Sequence, residues 1–117
     1  AREEVERVLY PALPSDPGHA IFTRDFDRAT GVFGIVLHET DRDRIAAMVE
    51  SFDHFKLGYS WGGFESLLIP LHPERGVRTA SSREEIGTVL RLSIGLEAPD
   101  DLIADLVGGF ERLTRVL

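Results

Sequence analysis

The stretch from Thr88 to Ile94 constrains this chain more than any other. Its side chains alternate: Leu90, Leu92 and Ile94 point one way, Val89, Arg91 and Ser93 the other. A period of two is the mark of a strand with one apolar face. That face needs a cover. The opposite face carries a charge, so it is either solvated or covered by something else.

The remaining segments supply more strands and a cover. Val32 to Leu37 is β-branched and apolar on both faces, which predicts a central strand. Lys56 to Trp61 and Ser66 to Leu71 read as two further strands, the second ended near Pro70 to Pro73. A short helix is expected over 18–26, behind Ser15-Asp16-Pro17-Gly18, with Ile21, Phe22 and Phe26 at helical spacing. A second is expected over 41–52, where Thr40-x-x-Asp43 is a capping-box variant and Ile45, Val49 and Phe52 recur on one side. The third, over 99–115, opens at Pro99-Asp100-Asp101 and carries the stripe Leu102, Ile103, Leu106, Val107, Phe110 and Leu113. Gly108-Gly109 weakens it by about 1 kcal/mol per Gly relative to Ala. Residues 1–17 are ambiguous between helix end and strand before their prolines. His72 to Ile86, polar and irregular, is the expected mobile loop. The expectation is one α+β domain over 1–117: a mostly antiparallel four-stranded sheet with about three helices on one face. Arg91 would project from the other, partly open face.

Composition narrows function by exclusion. With 13 basic and 20 acidic side chains the formal net charge is -7, against a nucleic-acid or anionic-membrane partner. There is no cysteine, so disulfides and thiolate metal sites are excluded and a cytoplasmic setting is natural. No apolar run approaches the roughly 20 residues that span a bilayer, and no signal peptide is visible. The chain does not begin with Met, which fits a processed product, a trimmed chain or a fragment. His19, His38, His54 and His72 are scattered without metal-ligand spacing. Gly62-Gly63 is no phosphate cradle, and Ser66 lies in Glu65-Ser66-Leu67, not in G-x-S-x-G.

Two places could carry chemistry. Leu57 to Leu67 holds the only Trp, Trp61, beside Tyr59, Ser60 and Gly62-Gly63. It reads either as a hairpin with core aromatics or as a ligand-facing turn with apolar walls and polar tips. Arg91, mid-strand, is suited to clamp a carboxylate through a bidentate pair. The plainer alternative is an Arg on a wet sheet face, paired with Glu65 or Glu97.

Tyr59-Ser60-Trp61-Gly62-Gly63-Phe64-Glu65-Ser66-Leu67, then Leu90-Arg91-Leu92-Ser93-Ile94-Gly95-Leu96-Glu97, then Asp100-Asp101-Leu102-Ile103-Ala104-Asp105-Leu106, together resemble the C-terminal domain of the Cys/Met-metabolism pyridoxal-phosphate (PLP) enzymes. Val8 to Pro14 with His19, Arg24-Asp25-Phe26 and Gly31 to Leu37 also match, so the resemblance runs nearly the whole chain. The family includes the β-lyase, γ-lyase and γ-synthase of transsulfuration. The resemblance implies the small C-terminal domain of a fold type I enzyme. Its large PLP-binding domain would lie upstream, on the open sheet face, and the parent would be a homo-oligomer, typically a tetramer. It implies that Arg91 binds the substrate α-carboxylate with Ser60, and that Tyr59 and Trp61 line the pocket. Trp61 tilts the reading toward β-lyase, cleaving cystathionine to homocysteine, pyruvate and ammonia. The alternatives are a γ-class relative, or a stand-alone remnant that self-associates without catalysis. PLP enzymes hold their cofactor on a Schiff-base lysine. The only lysine here, Lys56, lacks the small, hydroxyl-rich surroundings of such a group and reads as a solvent lysine. The isolated chain is therefore expected to be catalytically silent.

Overall fold

The computed structural model describes residues 2–38, 40–72 and 87–115. Apart from His72, the expected mobile loop at 72–86 lies outside the described residues. Five strands form one sheet: β1 (Val5–Leu9), β2 (Val32–Leu37), β3 (Lys56–Leu57), β4 (Leu67–Leu71) and β5 (Val89–Ser93), ordered β1-β2-β5-β4-β3. Three helices accompany them: α1 (His19–Asp25), α2 (Arg42–Val49) and α3 (Pro99–Arg115). The α+β, mostly antiparallel expectation holds, with a fifth strand added. Val-Glu-Arg-Val-Leu at β1 does not alternate cleanly, and its ladder with β2 shifts register between Val5 and Arg7. A bulge of that kind hides a strand from its own pattern.

The alternation at β5 does what it predicts. Leu90 and Leu92 are fully buried, opposite Ile35 and Phe33 of β2 and Pro70 and Leu68 of β4. Ile45, Met48 and Val49 of α2 and Leu102, Phe110 and Leu113 of α3 close over that face. Burying side chains of this size stabilises by about 1.5–3 kcal/mol each. The helix layer is α2 and α3 only. None of the residues of α1 is buried, and Ile21 and Phe26 stand exposed.

Three local readings are corrected. Asp41, not Thr40, caps α2: its carboxylate accepts the Arg44 N–H at 2.9 Å. α2 stops at Val49, before Phe52. In α3 the buried side is centred on Leu102, Asp105, Gly109, Phe110 and Leu113, while Ile103 and Val107 are exposed. The two helices also cap each other. Arg112 of α3 donates to the Ala47 and Met48 carbonyls at the end of α2 (3.1 and 2.8 Å), and Arg44 of α2 donates to the Leu113 carbonyl (3.1 Å). Cations at helix C-termini satisfy carbonyls that have no partner within the helix.

The second sheet face is less open than expected. Val36, Ile69, Val89 and Ser93 are all buried, and they share that face with Arg91. Arg91 lies in the middle row, between Gly34 of β2 and Ile69 of β4.

Candidate functional site

The predicted strand over 56–61 ends at Leu57. β3 pairs in parallel with β4, so the chain from Gly58 to Ser66 is a connecting loop rather than a tight hairpin. Its aromatics are not core. Tyr59, Trp61 and Phe64 are 77%, 66% and 71% exposed, with Leu57 and Leu96 also exposed.

Arg91 reaches up from β5 into this loop. One terminal nitrogen, Nη2, donates to the carbonyls of Tyr59 and Ser60, the latter at 3.0 Å, with a long contact of 3.4 Å to Gly58. Its Nε is buried and has no hydrogen-bond partner among the described residues. The pairing with Glu65 or Glu97 that a wet-face arginine would make does not form. Glu65 instead meets Lys56 at 3.2 Å, and both oxygens of Glu97 accept the Ser66 N–H (3.0 and 3.1 Å). Arg91, Tyr59 and Ser60 are thus brought together through backbone carbonyls. The side chain of Trp61 stands beside them in solvent.

Residues that the sequence reading passed over hold the loop. Ser93, two places along β5 from Arg91 and on its face, accepts the Gly62 N–H at 3.0 Å. Gly62 has φ of +81°, a conformation suited to glycine. The fully buried Ser66 accepts the Gly95 N–H on its hydroxyl at 2.8 Å, and Leu96 N–H donates to the Phe64 carbonyl at 2.8 Å. A Cβ on Gly95 would fall 2.2 Å from that same carbonyl oxygen, so only glycine fits there. The hydrogen bond with Ser66 is the main cause that holds the Glu97 carboxyl below the usual glutamate value. Upstream, Asp105 accepts the N–H groups of Asp53, His54 and Phe55 at 2.9, 2.9 and 3.0 Å, setting the chain just before β3. Ser93 was legible in the same alternation that exposed Arg91. Asp105 was legible three residues after Leu102, on the buried side of α3.

The single lysine of the chain does not fit a Schiff-base role. Lys56 Nζ is exposed and ion-paired with Glu65, the reverse of an enclosed Schiff-base lysine. No metal-binding cluster occurs among the described residues, and no described helix is long and apolar enough to cross a membrane. A concavity of about 440 Å³ lined by Glu4, His38, Arg44 and Thr114 shares no residue with the Arg91 loop.

The family model described as Cys/Met metabolism PLP-dependent enzyme matches residues 1–111. Cystathionine beta-lyase of Salmonella typhimurium is 44% identical over 113 residues, covering 94% of this chain and 29% of that protein. An L-alanine/L-glutamate racemase of Wolbachia pipientis is 37% identical over 111 residues, 94% of this chain and 28% of the racemase. Among solved structures, a cystathionine gamma synthase of Xanthomonas oryzae pv. oryzae in complex with cystathionine superposes with a TM-score of 0.79 and 31% identity, over 100% of this chain and 31% of that one. The chain spans less than a third of each of these relatives. On the match to nearly its whole length, the chain belongs to the Cys/Met metabolism PLP-dependent enzyme family.

Proposed function

We propose that this chain is the substrate-positioning part of a PLP-dependent carbon–sulfur lyase that cleaves cystathionine to homocysteine, pyruvate and ammonia. Arg91 binds the α-carboxylate of the amino-acid substrate, Ser60 contacts the same group, and Tyr59 and Trp61 line the pocket. PLP and its Schiff-base lysine belong to a part of the protein outside this chain, which docks over the exposed aromatics, and the whole works in the cytoplasm as a homo-oligomer, a tetramer.

The observation that carries this reading is the Arg91 Nε, buried and without a partner among the described residues. An unmade hydrogen bond at a buried donor costs about 1–3 kcal/mol. A carboxylate can relieve that cost, and does so better than a neutral carbonyl because the bond is charge-assisted. The substrate carboxylate replaces the loop carbonyls on the guanidinium. The central position of β5 keeps that guanidinium in place, so binding energy is not lost to ordering a mobile side chain.

A γ-class reaction is the second reading, supported by the structural similarity to a gamma synthase complexed with cystathionine. Keto-acid release from cystathionine by the full-length protein tests both. Pyruvate is expected. 2-Oxobutyrate would move the assignment to γ-elimination, and no keto acid would remove the lyase assignment.

A further inference from the structure

We infer that Ser93 is a positioning residue for the Arg91 clamp, acting on the loop and not on the ligand. This rests on the reading of Arg91 as the carboxylate site. The loop from Gly58 to Gly63 is tied to β5 at two points, both on the same face of the strand. One tie is Arg91 Nη2 on the Tyr59 and Ser60 carbonyls; the other is the Gly62 N–H on the Ser93 hydroxyl at 3.0 Å. Ser60 belongs to the first tie, and Trp61 lies between the two. A carboxylate that takes the guanidinium removes the first tie. The second is then what keeps Ser60 and Trp61 beside the bound group. Ser93 is 1% exposed, so its hydroxyl is shielded from competing water, and the donor Gly62 holds a positive φ of +81° that glycine adopts without strain. A neutral hydrogen bond so shielded contributes on the order of tenfold or less to an equilibrium.

The test is steady-state kinetics of the full-length protein on its amino-acid substrate, with Ser93→Ala, Ser93→Thr and Arg91→Ala compared. Ser93→Ala is expected to raise KM about fivefold while kcat stays within about twofold, because carboxylate binding is shared by ground and transition states. Ser93→Thr, which keeps the hydroxyl, is expected to return KM toward the parent value. Where Ser93→Ala does not fold, Ser93→Cys, close in size and a poor acceptor, carries the same expectation. An unchanged KM in a folded variant, with only the melting temperature lowered, overturns the inference. So does a rise that threonine does not reverse. If Arg91→Ala itself leaves KM unchanged, the carboxylate reading fails and takes the inference with it. If Arg91→Ala raises KM and Ser93→Ala does not, only the inference fails.

Discussion

Phe52 packs against the bare backbone of Gly109: a Cβ on that glycine would sit 2.5 Å from Phe52 Cε1. Met48 is the next neighbour, at 3.3 Å. The glycine therefore sets how closely α3 approaches the end of α2. Its neighbour Gly108 is different: the one atom near a Cβ there is Arg112 Nη1, at an ordinary contact distance of 3.4 Å. The two glycines predict opposite outcomes. Gly108→Ala should stabilise by up to about 1 kcal/mol, the helix-propensity gain. Gly109→Ala should destabilise despite the same gain, since overpacking costs about 1–3 kcal/mol. Chemical denaturation of the two variants side by side checks this; equal effects would refute the packing account.

Asp105 is the acceptor for three consecutive backbone N–H groups, the last of them on buried Phe55. Asp105→Ala should cost about 2–4 kcal/mol, because it leaves part-buried donors unmade. Asp105→Asn, which keeps one acceptor oxygen, should cost less. Thermal unfolding of both variants gives the ranking, and a near-neutral Asp105→Ala would show that water replaces the carboxylate without loss.

Arg91→Lys should behave as a severe change. The planar fork and the buried Nε are lost together, and a lysine ammonium cannot pair bidentately with a carboxylate. A rise in KM of about tenfold or more, with a smaller change in kcat, is expected in the full-length protein. A lysine variant with parental KM would mean that charge alone is recognised.

Glu97 predicts a pH dependence whose sign follows from its environment. Its folded pKa lies below the ordinary glutamate value of 4.5, held there first by the hydrogen bond with Ser66. Across that window the unfolded chain binds more protons than the folded one, so stability rises with pH. The contribution is complete above the ordinary glutamate range and is lost as pH falls through the folded pKa. The stability gap between the parent protein and Glu97→Gln should therefore shrink on acidification below about pH 4.5. Melting temperatures across the acid range measure it; a gap that widens instead would contradict the assignment.

Much of this molecule is legible along the chain. The alternation at 88–94 determined which side of β5 is core, and the capping and dipole signals at Pro99-Asp100-Asp101 placed α3 from 99 to 115. Both depend on neighbours three or four residues apart at most, which is the reach of backbone geometry and local hydrogen bonding. β1 lay beyond that reach, since its strand state comes from pairing with β2 across a bulge. So did the end of β3: Arg91 draws the carbonyls of Tyr59 and Ser60 toward β5 from more than thirty positions away, and the strand expected to run to Trp61 stops at Leu57. The sequence by itself determined that Arg91 and Ser93 share a face. Only the tertiary structure decided that the loop hangs from both of them, because hydrogen bonds between distant segments depend on where the sheet brings their backbones, not on spacing.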